Sequence, residues 1–469
     1  MKELWIDLQS DSDQALYEQI YDSVRKDIAD GKISPGEKLP STRFLAKYLG
    51  VSRSTVELAY DQLTAEGYIM PRQGSGCYAC DISELYQIQK SGKKREQSTG
   101  IDMGERNVEI SFSPYEVDQR NFPCDAWYRV NKNVSPAEQP ELLLSGDPKG
   151  QIDLRRQISS YLYQARGVEC SENQIIVGAG NEYLLMLLSQ ILGSEKSVLM
   201  EEYTYVNAYK TFCNMGYTLE IARTEEDGIC MNDVYHSDAD IVYVMPVHQF
   251  PLGTVMPLKR RLELIKWASE FENRYLIEDD HDSEFRYKGK PIPALWGNDP
   301  GQHVIYLGTF SKSITSSLRI SFMVLPNRLL QQYEKSCGFY ACTVSRFSQE
   351  LLFRFMEEGH FERHLNRMRN IYRQKHDTLL ALLKQETWVR SIYGDNAGLH
   401  VLVEVESSVS EETLCQRAWE IGVEIHSLSE YRIGPAKKTP YPTLLLGYGN
   451  LNEKDMERGI ARLREILSE

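Results

Sequence analysis

The sequence predicts an α/β chain in two unequal parts: a winged helix-turn-helix head, then a large domain whose mostly parallel sheet is sandwiched by helices, with a smaller C-terminal α+β part. Three observations carry this. The first eighty residues hold three short amphipathic segments followed by two strand-like runs around glycines. Beyond about residue 108, apolar strand-like runs alternate with helical stretches, the pattern of a sheet buried on both faces. Between the two, the composition turns polar. The expected boundaries are 1–80 for the head, 81–107 for a linker and 108–469 for the large domain, whose smaller part begins near 355.

In the head, Leu16, Ile20, Val24 and Ile28 recur every fourth residue, which describes one helix closed by Gly31 and the turn Ser34-Pro35-Gly36. Ser41 is placed to cap a short second helix that buries Leu45 and Leu49 and stops at Gly50. Val51-Ser52 opens a third helix carrying Val56, Leu58 and Leu63 and ending near Gly67. Tyr68-Ile69-Met70 and Cys77-Tyr78-Ala79 read as two strands around Gly74-Ser75-Gly76, the wing.

The chain carries a net charge of -14, which taken whole argues against nucleic acid. Yet from Lys38 to Val56 the only charged residues are Lys38, Arg43, Lys47 and Arg53, so a small basic face is set into an acidic protein. Ser52, Arg53, Ser54 and Thr55 at the start of the third helix are candidates for base edges and phosphates in a major groove, because arginine reads guanine and helix N-termini bind phosphate. Ser41, Thr42, Arg43 and the wing residue Gly74 are candidates for the flanking DNA. On the blander reading Ser41 and Ser52 are caps only and the arginines are solvated.

Residues 81–107 centre on Lys93-Lys94-Arg95-Glu96-Gln97-Ser98-Thr99-Gly100 and read as a tether. Nine scattered cysteines argue against a disulfide framework, and the lone Cys77-x-x-Cys80 reads as packing rather than a metal site. No apolar run is long enough for a membrane span, and the acidic start does not resemble a signal peptide, so a cytoplasmic protein is expected.

Ligands on a parallel sheet collect at the C-terminal ends of its strands. Three such ends carry suitable chemistry. Ile175-Ile176-Val177 runs into Gly178-Ala179-Gly180-Asn181 and a leucine-rich helix, whose free amides suit a phosphate. Tyr275-Leu276-Ile277 runs into Glu278-Asp279-Asp280-His281-Asp282, where one carboxylate would suit a protonated pyridine nitrogen; a divalent metal is the alternative, and none is expected. Val304-Ile305-Tyr306-Leu307 runs into Gly308-Thr309-Phe310-Ser311-Lys312-Ser313, with Arg319 seven residues on from the lysine. A lysine held out of water among hydroxyls and a guanidinium is the setting for a Schiff base to pyridoxal phosphate.

Gly36 to Arg43, Leu49 to Val56 and Leu63 to Ile69 together resemble the GntR class of winged-helix repressors. Gly146-Asp147-Pro148-Lys149-Gly150, Leu154-Arg155, Pro246 to Gly253, Glu278 to Phe285 and Thr309 to Arg319 resemble fold-type I pyridoxal-phosphate-dependent aminotransferases. The fusion of the two resembles the MocR family of regulators, near its GABA-responsive member. The resemblance implies that Lys312 forms the internal aldimine, Asp279 faces the pyridine nitrogen and Tyr205 stacks on the ring. It implies that Thr309, Ser311, Arg319 and the amides near Gly180 and Asn181 hold the phosphate. A homodimer on double-stranded operator DNA follows, each head lying near its partner's sensor domain.

Two departures qualify it. Phe250 falls where aminotransferases place an asparagine, and His281 where a tyrosine commonly touches the same phenolic oxygen of the cofactor; this argues for weak transaminase activity at most. Asn207 and Glu430 fall where the GABA-responsive relative is expected to grip a carboxylate with arginines, Arg432 standing two residues away. A neutral or cationic amine, or pyridoxal phosphate itself, is therefore the expected effector. The expected function is a ligand-responsive transcription regulator, with a working aminotransferase bearing a DNA-binding head as the alternative.

Overall fold

The computed structural model describes residues 6, 8–9, 14–81, 108–287, 291–299, 303–394, 396–435 and 440–467. The chain divides into two compact units, Met1–Arg106 and Asn107–Glu469. Apart from Asp81, the expected linker lies outside the described residues.

The first unit is three helices and a wing. Helix α1 (Leu16–Ala29) buries Ile20, Tyr21, Val24 and Ile28. Helix α2 (Thr42–Leu49) starts at Ser41, whose hydroxyl accepts from the Phe44 amide at 3.2 Å, and stops at Gly50 in the left-handed region. Its buried residues are Leu45 and Ala46; Leu49, expected in the core, is only half-buried. Helix α3 (Arg53–Ala65) buries Val56, Ala59, Tyr60 and Leu63, a stripe at i, i+3, i+4 and i+7. Leu58 lies off that stripe and is 52% exposed, which corrects its expected place in the core. The Tyr60 hydroxyl donates to the Pro40 carbonyl at 3.0 Å and ties α3 to the entry of α2. Strands β1 (Ile69–Arg72) and β2 (Gly76–Ala79) pair antiparallel, with Gly74 in their turn at φ +72.

The second unit is built on a mixed, mainly parallel sheet wrapped by helices. After the short β3 (Ile110–Ser111) come β4 (Ile175–Gly178), β5 (Ser197–Glu201) and β6 (Thr218–Ala222). A small hairpin, β7 (Thr224–Glu225) and β8 (Gly228–Ile229), precedes β9 (Ile241–Val244), β10 (Tyr275–Asp280), β11 (Val304–Thr309) and β12 (Ser321–Val324). The seven-stranded sheet runs β4-β12-β11-β10-β9-β5-β6. Only β12 opposes its neighbours, so the carboxyl ends of β4, β10 and β11 open on one edge. Apolar runs such as Ile241–Val244 are buried throughout because helices cover both faces.

A second sheet, β13-β14-β17-β16, is built from β13 (Val389–Tyr393), β14 (His400–Val405), β16 (His426–Ser427) and β17 (Thr443–Gly447). Strand β15 (Val423–Glu424) pairs in parallel with β3, and the Gly447 amide donates to the Phe112 carbonyl at 2.7 Å. The smaller part therefore draws on both ends of the domain rather than on its C-terminal residues alone. A two-residue strand has no readable period, which is why β3 leaves no trace in the sequence. Among the described residues no helix is long and apolar enough to cross a membrane.

Strand β10 divides the acidic run that closes it. Side chains alternate along a strand, and Glu278 and Asp280 turn into the packing while Asp279 turns to the sheet's other face. Glu278 accepts from the Leu295 and Trp296 amides at 3.0 and 3.3 Å. Asp280 accepts from Arg166 Nε at 2.7 Å and from the Tyr306 hydroxyl at 2.5 Å, with both charged partners nearly inaccessible. Within the expected acidic cluster, Glu278 and Asp280 are thus structural. Removing one partner of a buried pair strands the other's charge, so Arg166→Ala should cost the large unit about 3–5 kcal/mol of unfolding free energy. Urea unfolding followed by tryptophan fluorescence measures this; a loss below about 1 kcal/mol would mean that Asp280 is adequately solvated without Arg166.

Candidate functional site

The carboxyl edge of the large sheet carries a cavity of about 210 Å³. That is far more than a structural water needs, so a small molecule is its natural occupant. From the end of β11 and the turn after it come Thr309, Ser311 and Lys312; from β10 and the turn after it, Asp279, His281 and Asp282; from the start of the helix that follows β4, Asn181 and Glu182; and Tyr205, Phe250 and Arg319 from neighbouring loops.

Lys312 is half-buried, and its Nζ donates to the Pro114 carbonyl at 2.5 Å and lies 5.8 Å from the centre of the Tyr115 ring. Burial disfavours the ammonium more than Asp282 and Glu116 favour it, and the amine is pulled down to about 8. Asp279 accepts from the Tyr243 hydroxyl and from Asn181 Nδ2, the latter at 3.1 Å. Burial pushes its carboxyl up to about 6, with the Tyr243 hydrogen bond and His281 acting the other way.

One end of the cavity is rich in hydroxyls and donors. Thr309 Oγ1 accepts from Ser321 Oγ at 2.8 Å and from the Ser311 amide at 3.1 Å, and donates to Ser311 Oγ at 3.0 Å. The helix Asn181–Leu192 starts here behind Gly180, at φ +100. A Cβ on Gly180 would lie 2.1 Å from Arg319 Nη2 and displace the guanidinium, while the backbone angle itself favours glycine. Arg319 is itself left-handed, at φ 51, the one non-glycine residue so among those described. Its Nη2 donates to Glu182 Oε2 at 3.1 Å and the Ala179 carbonyl at 3.5 Å. Glu182 Oε1 accepts from the Tyr205 hydroxyl at 2.8 Å, and Asn207 Nδ2 donates to that hydroxyl at 3.2 Å.

The opposite wall is aromatic and imidazole. Phe250 packs edge-on against Tyr431, His400 and His281 at 4.9, 5.3 and 5.8 Å between ring centres, and offers no hydrogen bond. Asp282 sits between two imidazoles, with its oxygens 2.9 and 3.0 Å from His248 Nδ1 and one of them 3.3 Å from His281 Nε2. Burial opposes the Asp282 charge, yet His248 and His281 outweigh it and hold the carboxyl well below its usual range. Burial likewise opposes protonation of His281, but Asp282 prevails and raises it. Burial alone dominates His400, pulled down to about 3 and therefore neutral. His248, His281 and Asp282 also bring their ligand atoms within 4.8 Å of one another.

The cavity therefore gathers every residue assigned to a cofactor from the sequence except Gly180, which shapes its wall. It does not gather the three effector candidates. Asn207 reaches it only through Tyr205. Glu430 is occupied by His426 Nδ1 at 2.8 Å and by the Ser427 amide at 3.0 Å. Arg432 is paired with Glu202 at 3.0 Å and lines a different cleft beside Tyr203. Pro114, Tyr115, Glu182 and His400 were not singled out from the sequence; only Glu182 left a signal, as an acid in the first turn of a helix that follows a glycine turn.

In the head, the Ser52 hydroxyl accepts from the Thr55 amide at 3.1 Å and lies 2.7 Å from both Ser54 Oγ and Thr55 Oγ1. Arg53 Nε donates to Glu57 Oε1 at 2.7 Å, an exposed pair four residues apart that contributes roughly 0.3–0.5 kcal/mol and is easily exchanged. Arg43 is exposed and Thr42 half-buried at the start of α2, and Gly74 turns the wing.

A winged helix-turn-helix head joined to an aminotransferase fold defines a class of DNA-binding regulator. Residues 16–79 match the family model of bacterial regulatory proteins, gntR family, and residues 108–463 that of aminotransferase class I and II. The chain belongs to the MocR-type regulators, in which a GntR-family head is fused to an aminotransferase-like domain. It is 38% identical over 456 residues, 96% of each chain, to the uncharacterized HTH-type transcriptional regulator YdeL of Bacillus subtilis (strain 168). It is 32% identical, over 97% of its own length and 94% of the relative's, to the probable rhizopine catabolism regulatory protein MocR of Rhizobium meliloti. Among solved structures, LysN, the α-aminoadipate aminotransferase of Thermus thermophilus, aligns with a TM-score of 0.68 at 25% identity, covering 81% of this chain and 98% of that one.

The depressed amine of Lys312 sets a pH profile. Only the free amine attacks an aldehyde, and its fraction rises with pH until the pKa is passed. Imine formation at Lys312 with a small aldehyde, trapped by borohydride and located by peptide mass, should climb about tenfold per pH unit and level off above about pH 8. A profile still climbing at about pH 10 would show an ordinary solvated lysine.

Proposed function

We propose that this chain is a transcription regulator whose aminotransferase-like domain holds pyridoxal phosphate on Lys312 and reports an incoming amine to its DNA-binding head. One observation carries the reading: a single cavity presents a depressed lysine amine, the buried carboxylate of Asp279, and a hydroxyl-rich end with Arg319. These suit the cofactor's aldehyde, ring nitrogen and phosphate respectively. Asn181 Oδ1 is buried without a hydrogen-bond partner, which supports a polar occupant. The LysN structure was solved with N-(5'-phosphopyridoxyl)-L-leucine, a cofactor adduct.

Bound pyridoxal phosphate supplies an electrophilic carbon and an electron-withdrawing ring. Lys312 would hold that carbon, Asp279 would face the ring nitrogen, and Tyr205 the ring. Thr309, Ser311, Arg319 and the amides of Gly180 and Asn181 would hold the phosphate, with His281 near the phenolic oxygen. Asp279, pushed up only to about 6, keeps its charge above neutral pH and can favour a protonated ring nitrogen. Phe250 cannot hydrogen-bond the cofactor's oxygen, which favours sensing over rapid turnover.

Arg319 is the one arginine among the described residues lining the cavity, and Arg432 is engaged by Glu202. An effector with a carboxylate would lack a second guanidinium, so the likeness to the GABA-responsive member does not extend to GABA. A neutral or cationic amine, or the cofactor itself, fits better, with Asn207 the effector candidate linked to the cavity. In the head, Arg53 would leave Glu57 for a base edge while Ser52, Ser54 and Thr55 hold phosphate, with Ser41, Thr42, Arg43 and Gly74 on the flanks. A homodimer on two half-sites in the cytoplasm completes the proposal.

Lys312→Ala should remove the visible chromophore of protein purified with pyridoxal phosphate while leaving basal operator affinity intact. A retained covalent chromophore would displace Lys312 from this role, and steady turnover of an amino acid with a keto acid by the wild type would instead mark a working aminotransferase. Arg53→Ala should weaken specific operator binding by about 1–3 kcal/mol at fixed salt; unchanged affinity would return Arg53 to the solvated surface.

A further inference from the structure

Glu182 stands out at the donor-rich end of the cavity because its charge has the wrong sign for a phosphate seat. Its two oxygens are divided between the seat's main cation and an aromatic wall: Oε2 takes Arg319 Nη2 at 3.1 Å, and Oε1 takes the Tyr205 hydroxyl at 2.8 Å. Arg319 is committed to this position by its backbone. It holds a left-handed angle that non-glycine residues seldom adopt, and its guanidinium packs directly against the open backbone of Gly180. Burial works against the Glu182 charge, but its own amide, Tyr205 and Arg319 outweigh it and keep the carboxyl below its ordinary range. The group is therefore an anion throughout neutral pH.

We propose that Glu182 is a displaceable counter-anion: a phosphate-bearing ligand must take Arg319 from it, so Glu182 weakens and tunes the phosphate seat. This rests on the cofactor reading above. Two anions competing for one guanidinium in a half-buried site oppose each other more than they would in water. The pair is partly exposed, at 53% for Arg319 and 36% for Glu182, so exchange needs no opening of the core. The same carboxylate also accepts from Tyr205 through its other oxygen, and Tyr205 accepts from Asn207 on the helix Val206–Asn214, so the competing anion is shared with a second element.

The test compares wild type and Glu182→Gln in the full-length protein, titrated at fixed ionic strength with pyridoxal phosphate and, separately, with phosphate-free pyridoxal, each followed by absorbance. Glutamine keeps the shape and can still accept from Tyr205, but removes the competing charge. The expected result is a half-saturating concentration of pyridoxal phosphate about tenfold lower or more in the variant, with pyridoxal unchanged. Glu182→Ala should move in the same direction, which covers a local packing defect in either variant. Equal or weaker binding of pyridoxal phosphate by the variants, or a parallel gain for pyridoxal, overturns the counter-anion role and leaves the cofactor reading standing. A wild type and variants that all fail to develop a chromophore at saturating pyridoxal phosphate overturn both.

Discussion

The alternation of side chains along β10 is the constraint on which the site depends. Within three consecutive acids, Glu278 and Asp280 are spent on backbone amides, Arg166 and Tyr306, and only Asp279 turns to the cavity. A shift of one residue in the register with β9 and β11 would exchange these roles, turning Glu278 and Asp280 to the cavity face and Asp279 to the packed face that holds Arg166. The buried ion pair thus does more than join a helix to the sheet. It fixes the register that gives the cavity a single central carboxylate.

Burial then sets the chemistry in opposite senses on the two key groups. It lowers the Lys312 amine to about 8 and raises Asp279 to about 6, so a free amine and a carboxylate both exist near neutral pH. The imidazole wall behaves differently, since Asp282 stays charged between His248 and His281. At the far end, Glu182 occupies Arg319 and Tyr205 together. Phe250 adds apolar surface to the cavity and packs edge-on against Tyr431, His400 and His281.

Much of this was legible in the sequence, for local reasons. Caps at Ser41 and Ser52 and a stop at Gly50 come from short-range hydrogen bonding, and the strand ends carrying Lys312, Asp279 and Gly180 follow from apolar runs that break at polar or glycine residues. What escaped depends on distant segments. Leu58 looks like core until the stripe Val56, Ala59, Tyr60, Leu63 is seen packed. Pro114 and Tyr115 reach Lys312 across almost two hundred residues, and no period announces them. Residues 110–111 join the smaller part by pairing with β15, a contact invisible in two residues. Arg432 looked free in the sequence because its partner, Glu202, is 230 residues away.

The central claim is that one ligand event at Lys312 is read by the head. The direct measurement is a titration of the cofactor-loaded full-length protein with a panel of primary amines, following cofactor absorbance and operator affinity in the same samples. The account predicts that at least one neutral or cationic amine shifts both signals with the same half-saturating concentration, without accumulating product. Amines that change the absorbance while operator affinity stays constant across the whole titration would contradict it.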